Sequence, residues 1–330
     1  MKPSTISNTV KTNLLIISGA TILVALFFVS LFVGKFPLSI NEMLGGNQLH
    51  IQVFLTLRLS RAFVGVLGGF ALGLAGFVYQ TVFRNPLASP DIIGVASGAS
   101  AGAAAGILFF SGTFIVTICS FGGAVAAVLL ALALASIDRT GKKSTVVLAG
   151  IAVHSLMQTI LMFLKLSADP ERQLASIEYW IMGSLNGINS HIIAPNTVIC
   201  CVCLIALVLL HRQIILLSAD EGEARMLGIN VSVWRLILLM ISTVTVACIV
   251  SMTGLISFVG LLAPHCARKL TGNNSIKTMV LGGIIGGALL CGADILARSV
   301  ASTELPVSIF TSLIGAPFLI VLLVRGKDNV

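Results

Sequence analysis

The sequence predicts an all-α polytopic membrane protein with about ten transmembrane helices. Three observations predict it. The chain is 57% hydrophobic and only 10% charged, whereas soluble domains carry about 25% charged residues. Apolar runs of about 20 residues recur along its whole length, long enough to cross a bilayer. The intervals between them are short and hold most of the basic residues. The net charge of +8 therefore reads as topology rather than as affinity for nucleic acid. Of the 20 Lys+Arg, fourteen fall on the side that holds both termini and six on the other. By the positive-inside rule both termini are expected in the cytoplasm. No stretch is left for a separate soluble domain, so residues 1–330 form one transmembrane unit.

Lys2 and Lys11 precede the first span, residues 14–33. It is too long for a signal-peptide core, and Gly34-Lys35-Phe36-Pro37 offers no small-x-small cleavage site. Residues 35–57 read as an outside loop, closed by Arg58-Leu59-Ser60-Arg61. Span two, 62–82, repeats Gly65, Gly69 and Gly73 at four-residue spacing, a stripe for close helix packing. In Arg84-Asn85-Pro86-Leu87-Ala88-Ser89-Pro90-Asp91 two prolines four apart forbid a regular helix and shape a stiff cytoplasmic turn. Span three, 95–110, carries Gly98, Gly102 and Gly106, and span four covers 115–136.

Basic residues 139, 142 and 143 precede span five, 144–164, which has His154 near its middle. Asp169-Pro170-Glu171 reads as N-cap, first-turn proline and first-turn acid. The helix they open should lie at the outer surface, with Leu174, Ile177, Trp180 and Ile181 on its apolar face, and end near Gly183. Span six covers 193–210 and span seven 233–252. Span eight is irregular around Gly254 to His265. Span nine, 279–299, has paired glycines at 282/283 and 286/287, and Asp294 and Arg298 at i, i+4. Glu304-Leu305-Pro306 reads as a tight outside turn before span ten, 307–324.

Between spans six and seven lies a polar island, residues 218–228. Ser218 with Glu221 three residues later reads as a capping box, and Gly228 as a helix stop. The expected product is one short amphipathic cytoplasmic helix with Ala224, Leu227 and Met226 on its apolar side. Such a helix is well placed to take a push from a partner; an ordinary helical surface loop is the plainer alternative.

No catalytic constellation can be assembled. Gly141-Lys142-Lys143-Ser144 lacks the first glycine of a phosphate loop and has lysine where Ser/Thr belongs. His265 and Cys266 are adjacent on a helix and point in different directions, so they make a poor metal pair. The seven cysteines lie in or beside apolar runs and read as packing residues. His154, with Gln158 one turn later, is either a residue of a transport pathway or a neutral histidine bonded between helices. An ion-coupled secondary transporter would need midplane carboxylates, and the interior spans hold none. A permease for bare metal ions would need more ligands than His154, and an intramembrane enzyme would need the missing constellation.

Taken together, the ordered motifs resemble the permeases of iron-siderophore and vitamin B12 ABC importers, the FecCD family. The motifs are Arg58-Leu59-Ser60-Arg61, Arg84 to Asp91, Trp180 with Gly183-Ser184, Leu227-Gly228, and Gly254 to His265. Ala293-Asp294 with Arg298, Glu304-Leu305-Pro306 and Gly315-Ala316-Pro317 complete the set. One departure is Ser60, where the family usually has proline. The resemblance implies a type II ABC importer permease fold and a multi-pass protein of the bacterial inner membrane. It implies a cargo of a ferric siderophore, with haem or cobalamin as alternatives, and no cofactor or catalytic residue of its own.

The implied partners are two ATPase subunits, a second permease subunit of the same or a paralogous chain, a periplasmic or lipid-anchored binding protein, and membrane lipid. The resemblance also maps roles onto residues. Asp220, Glu221, Glu223, Ala224, Arg225, Leu227 and Gly228 would couple to the ATPase. Asn85, Leu87, Ser144 and Thr145 would form the cytoplasmic gate. Arg58, Arg61 and Arg298 would grip acidic residues of the binding protein.

Overall fold

A computed structural model describes residues 3–110, 112–137, 143–186, 188, 190–219, 221–301 and 303–326. Among these residues the chain is helical without strands. Helix α1 (Pro3–Phe32) is followed by two short helices, α2 (Ile40–Leu44) and α3 (Gln48–Gln52). A π-helical turn, Val53–Leu59, then runs straight into α4 (Ser60–Phe83), and a 3₁₀ turn, Pro90–Ile93, leads to α5 (Val95–Phe109) and α6 (Thr113–Ile137). There follow α7 (Lys143–Ser167), α8 (Gln173–Met182), α9 (Ser190–Leu209), α10 (His211–Leu216) and α11 (Glu221–Met226). The chain closes with α12 (Val231–Thr253), α13 (Val259–Thr271), α14 (Ile276–Ser299) and α15 (Val307–Gly326).

Six helical stretches are long and apolar enough to span a membrane, and α5, α9 and α15 contribute shorter apolar segments. With the short, proline-containing α13 these match the ten expected spans. The stretch 35–57 is not the simple loop expected. Ser39 accepts from the Glu42 N–H and Asn47 from the Leu49 N–H, so each caps a short helix. The Ser39…Glu42 spacing is itself an N-terminal signal in the sequence.

Helix α4 is the axis of the bundle. Every residue from 71 to 83 is buried, because α12, α13 and α14 all pack on it. A helix that is apolar all round belongs in such a position. Its glycine stripe explains how closely α14 can approach. A methyl group on Gly69 would collide with the Gly286 carbonyl, and one on Gly73 with the Gly282 carbonyl. Backbone therefore meets backbone, with no side-chain layer between. Helices α5 and α6 repeat the device with Gly98 and Gly102 against Gly123 and Cys119.

Candidate functional site

The two ends of α4 each hold a cluster of bonded polar side chains. At the first end, Arg61 Nε donates to Asp294 Oδ1 at 2.8 Å and Nη1 to Glu304 Oε2 at 2.9 Å. Arg298 Nη2 reaches the other Asp294 oxygen at 2.9 Å. Asp294 is 1% exposed, so one desolvated carboxylate serves two guanidiniums. Arg298 also donates to the Ser30 and Val33 carbonyls and to Ser30 Oγ. Arg58 donates to the Val33 and Phe36 carbonyls. Ser30 and Val33 stand at the end of α1, where helix carbonyls lack internal partners and carry the negative end of the dipole. The arginines thus cap α1 and tie it to α4 and α14.

Arg58, Arg61 and Arg298, the expected docking residues, are all buried and line one cavity with Lys35, Asn186 and Glu304. Asp294 and Arg298 do pair at i, i+4 as expected, but Glu304 belongs to the same cluster and is no free turn residue.

At the opposite end of α4, Arg268 of α13 lies over the Phe77 ring, 4.1 Å from its centroid. It donates to the Phe77 carbonyl, Thr81 Oγ1, Asn274 Oδ1 and Gln80 Oε1. Gln80 in turn donates to the Leu261 carbonyl at 2.9 Å. Helix α4 then stops at Arg84, which takes a left-handed conformation with φ +49°. Asn85 organises the turn that follows by accepting from the Leu87 N–H at 2.9 Å, and Leu87 is exposed. The turn packs onto α7, where Gly150 leaves room for the Ile92 carbonyl. Thr145 lies one and a half turns away at the start of α7. The side chain of Ser144 lies outside the described residues.

The expected amphipathic helix at 218–228 is present as α11, but only six residues long. Ser218 is not its cap. Its hydroxyl donates back to the Ile215 carbonyl at 2.6 Å, satisfying the end of α10 instead. Asp220 and the side chains of Glu221 and Arg225 lie outside the described residues. Gly228, at φ +79°, ends the helix as predicted, with the Ile229 N–H returning to the Ala224 carbonyl at 3.1 Å. Ala224 is buried, but Met226 is 82% and Leu227 63% exposed. The two large apolar side chains therefore face away from the bundle, not into it, and Glu223 is exposed beside them.

His154 and Gln158 open onto one internal cavity of about 390 Å³, shared with Asp91, Ser97, Ser100 and Ser257. His154 Nδ1 is buried and makes no hydrogen bond among the described residues. The outer helix α8 begins at Gln173, later than expected. Asp169 Oδ1 accepts from the Glu171 and Arg172 N–H groups at 3.0 Å, forming a turn ahead of the helix. Gly183 ends α8 at φ +69°.

Comparison with known proteins fits this architecture. The chain is 37% identical to the cobalamin import permease BtuC of Halobacterium salinarum over 81% of its length and 72% of the relative's. It is 34% identical to the molybdate import permease MolB of Haemophilus influenzae, over 94% and 96%. The hemin transport permease HmuU of Yersinia pestis is 33% identical over 86% of each chain. A solved inward-facing ABC transporter, described as of metal-chelate type, superposes with a TM-score of 0.86 at 31% identity, covering 94% of this chain and 98% of its own. The family model of the FecCD transport family matches residues 22–325, and the chain belongs to that family.

Proposed function

We propose that this chain is the permease subunit of an ABC importer that carries a ferric siderophore across a bacterial cytoplasmic membrane. The observation that carries the reading is α11. It is a six-residue helix at the Arg84 end of the bundle, with Met226 and Leu227 held out as an unpartnered apolar knob. A partner protein can bury such side chains, at about 25 cal/mol per Å² of apolar surface. ATPase subunits seated there would drive transport.

The pathway runs between this chain and a second permease chain, along α7 and α15. Ser155 and Thr159 are exposed on α7, each bonded only to its own helix backbone at 3.0 and 2.9 Å. An exposed groove of Met182, Ser308, Ile309, Leu313, Pro317 and Ile320 joins α8 to α15. Asn85 and Leu87, with Ser144 and Thr145, close the cytoplasmic mouth, and His154 lies behind this face. A loaded binding protein delivers the chelate from outside, and no bond in the cargo is broken. Both termini are cytoplasmic in this reading. The relatives' names include haem, cobalamin and molybdate carriers, so cobalamin or haem is the second reading.

Reconstituting the permease in proteoliposomes with its ATPase subunits and binding protein tests the proposal. ATP hydrolysis should rise with ferric-siderophore-loaded binding protein, and labelled iron should enter the vesicles. Stimulation by cobalamin or haem but not by ferric siderophore would remove the cargo assignment. In the same system Met226→Asp should weaken capture of the ATPase subunits at least about tenfold, equal to about 1.4 kcal/mol. The stability of the isolated permease should stay within about 0.5 kcal/mol, as for other exposed substitutions.

A further inference from the structure

The backbone of Arg84 and its side chain belong to two different parts of the molecule. Its backbone ends α4 and starts the 85–93 turn: the Arg84 N–H returns to Thr81, and the next N–H, of Asn85, to the Gln80 carbonyl. Its guanidinium reaches across to the turn between α10 and α11. There Nε donates to the Leu217 carbonyl at 3.2 Å and Nη2 to the Ala219 carbonyl. Those two carbonyls stand immediately ahead of α11.

The position is one where glycine is the ordinary residue. A left-handed conformation costs an L-residue about 1–2 kcal/mol, which glycine avoids. The side chain at this site therefore contributes something that a glycine would not. A guanidinium suits the task because its planar fork fixes two acceptors in direction as well as distance. Leu217 is buried and holds its turn against the core, so the fork grips a segment that moves as a piece. On the other side, the stiff turn carrying Pro86 and Pro90 delivers any displacement of Arg84 to Ile92, which is seated on α7 at Gly150.

We propose that Arg84 is the positioning residue that transmits movement of the α11 segment to the 85–93 turn. The inference rests on the reading of α11 as the ATPase contact. Without the fork, α11 would still be driven by its partner, but the turn that carries Asn85 and Leu87 would no longer follow.

The test needs no knowledge of the cargo. The permease is assembled with its ATPase subunits, and an encoded environment-sensitive fluorophore replaces Glu223 or, separately, Leu87. Each is read with and without Mg-ATP and vanadate. In the wild-type background both positions should respond. In Arg84→Gly, which suits the backbone but removes the fork, position 223 should still respond while the signal at 87 falls at least fivefold. Arg84→Lys keeps the charge but loses the fork, and should cut the signal at 87 at least twofold; it decides the matter should Arg84→Gly not assemble. An undiminished response at 87 in these variants overturns the tie and leaves the α11 reading standing. No response at 223 in the wild-type background overturns the α11 reading, and the tie with it.

Discussion

The two ends of α4 are both anchored by arginine, fully buried at one end and half-buried at the other, and by different chemistry. At one end Arg61 and Arg298 share the carboxylate of Asp294, and Glu304 closes the pair. At the other, Arg268 is held by one backbone carbonyl, a hydroxyl, two side-chain amides and a phenyl ring, with no carboxylate among its described partners. Removing one partner from a buried ion pair strands the other charge in a poor solvent, whereas removing one neutral acceptor from a half-buried guanidinium leaves a donor that water can reach. The first arrangement suits an end that stays fixed. The second suits an end whose neighbours shift during a transport cycle.

The sharpest way to break this comparison is Asp294→Ala. It leaves Arg61 and Arg298 without their common counter-charge and should destabilise the permease by about 3–5 kcal/mol. Unfolding of the detergent-solubilised protein would report it, and a loss below that for Arg268→Met would refute the contrast. Arg268→Met keeps an apolar stem over Phe77 and gives up charge-assisted bonds to neutral acceptors without stranding an opposite charge, so about 1–3 kcal/mol is expected. Glu304→Gln should matter least. Its side chain is 25% exposed and the amide oxygen still accepts from Arg61, so a loss under about 1 kcal/mol is expected. The same melting series at low and high salt would sharpen the point. The Asp294 effect should be nearly independent of ionic strength, because buried pairs are little screened.

What the sequence disclosed, and what it hid, follows from range. Glycines 69 and 73 announced a close helix contact because the packing device is written at four-residue spacing, and glycines 282 and 286 supplied the matching face. Asp294 with Arg298 was readable for the same local reason. The partnership of Arg61 with Asp294 and Glu304 was not, since it joins positions 233 and 243 residues apart. Seen singly, an arginine at a span boundary looks like a rim charge. The apolar side of α11 was readable, but not its direction: Ala224 is buried while Met226 and Leu227 are exposed. Arg84 gave no local sign of its left-handed conformation, because no glycine or asparagine stands there.

The π-turn at Val53–Leu59 carries a further consequence for insertions and deletions. Its wider hydrogen-bonding holds one residue more per turn than an α-helix would. Deleting a residue between 53 and 57 would let the helix close normally with its flanks nearly in register, whereas a deletion within the regular α4 would rotate everything before it by about 100°. Asn47 and α3 would swing away, together with His50, whose ring meets Phe36 at 5.0 Å and whose Nδ1 accepts from the Ser39 N–H. Phe36 is one of the two carbonyl partners of Arg58. A one-residue deletion in α4 would thus act as a rotation of the whole approach to it, felt at the end of α1, while the same deletion in the π-turn would be absorbed locally.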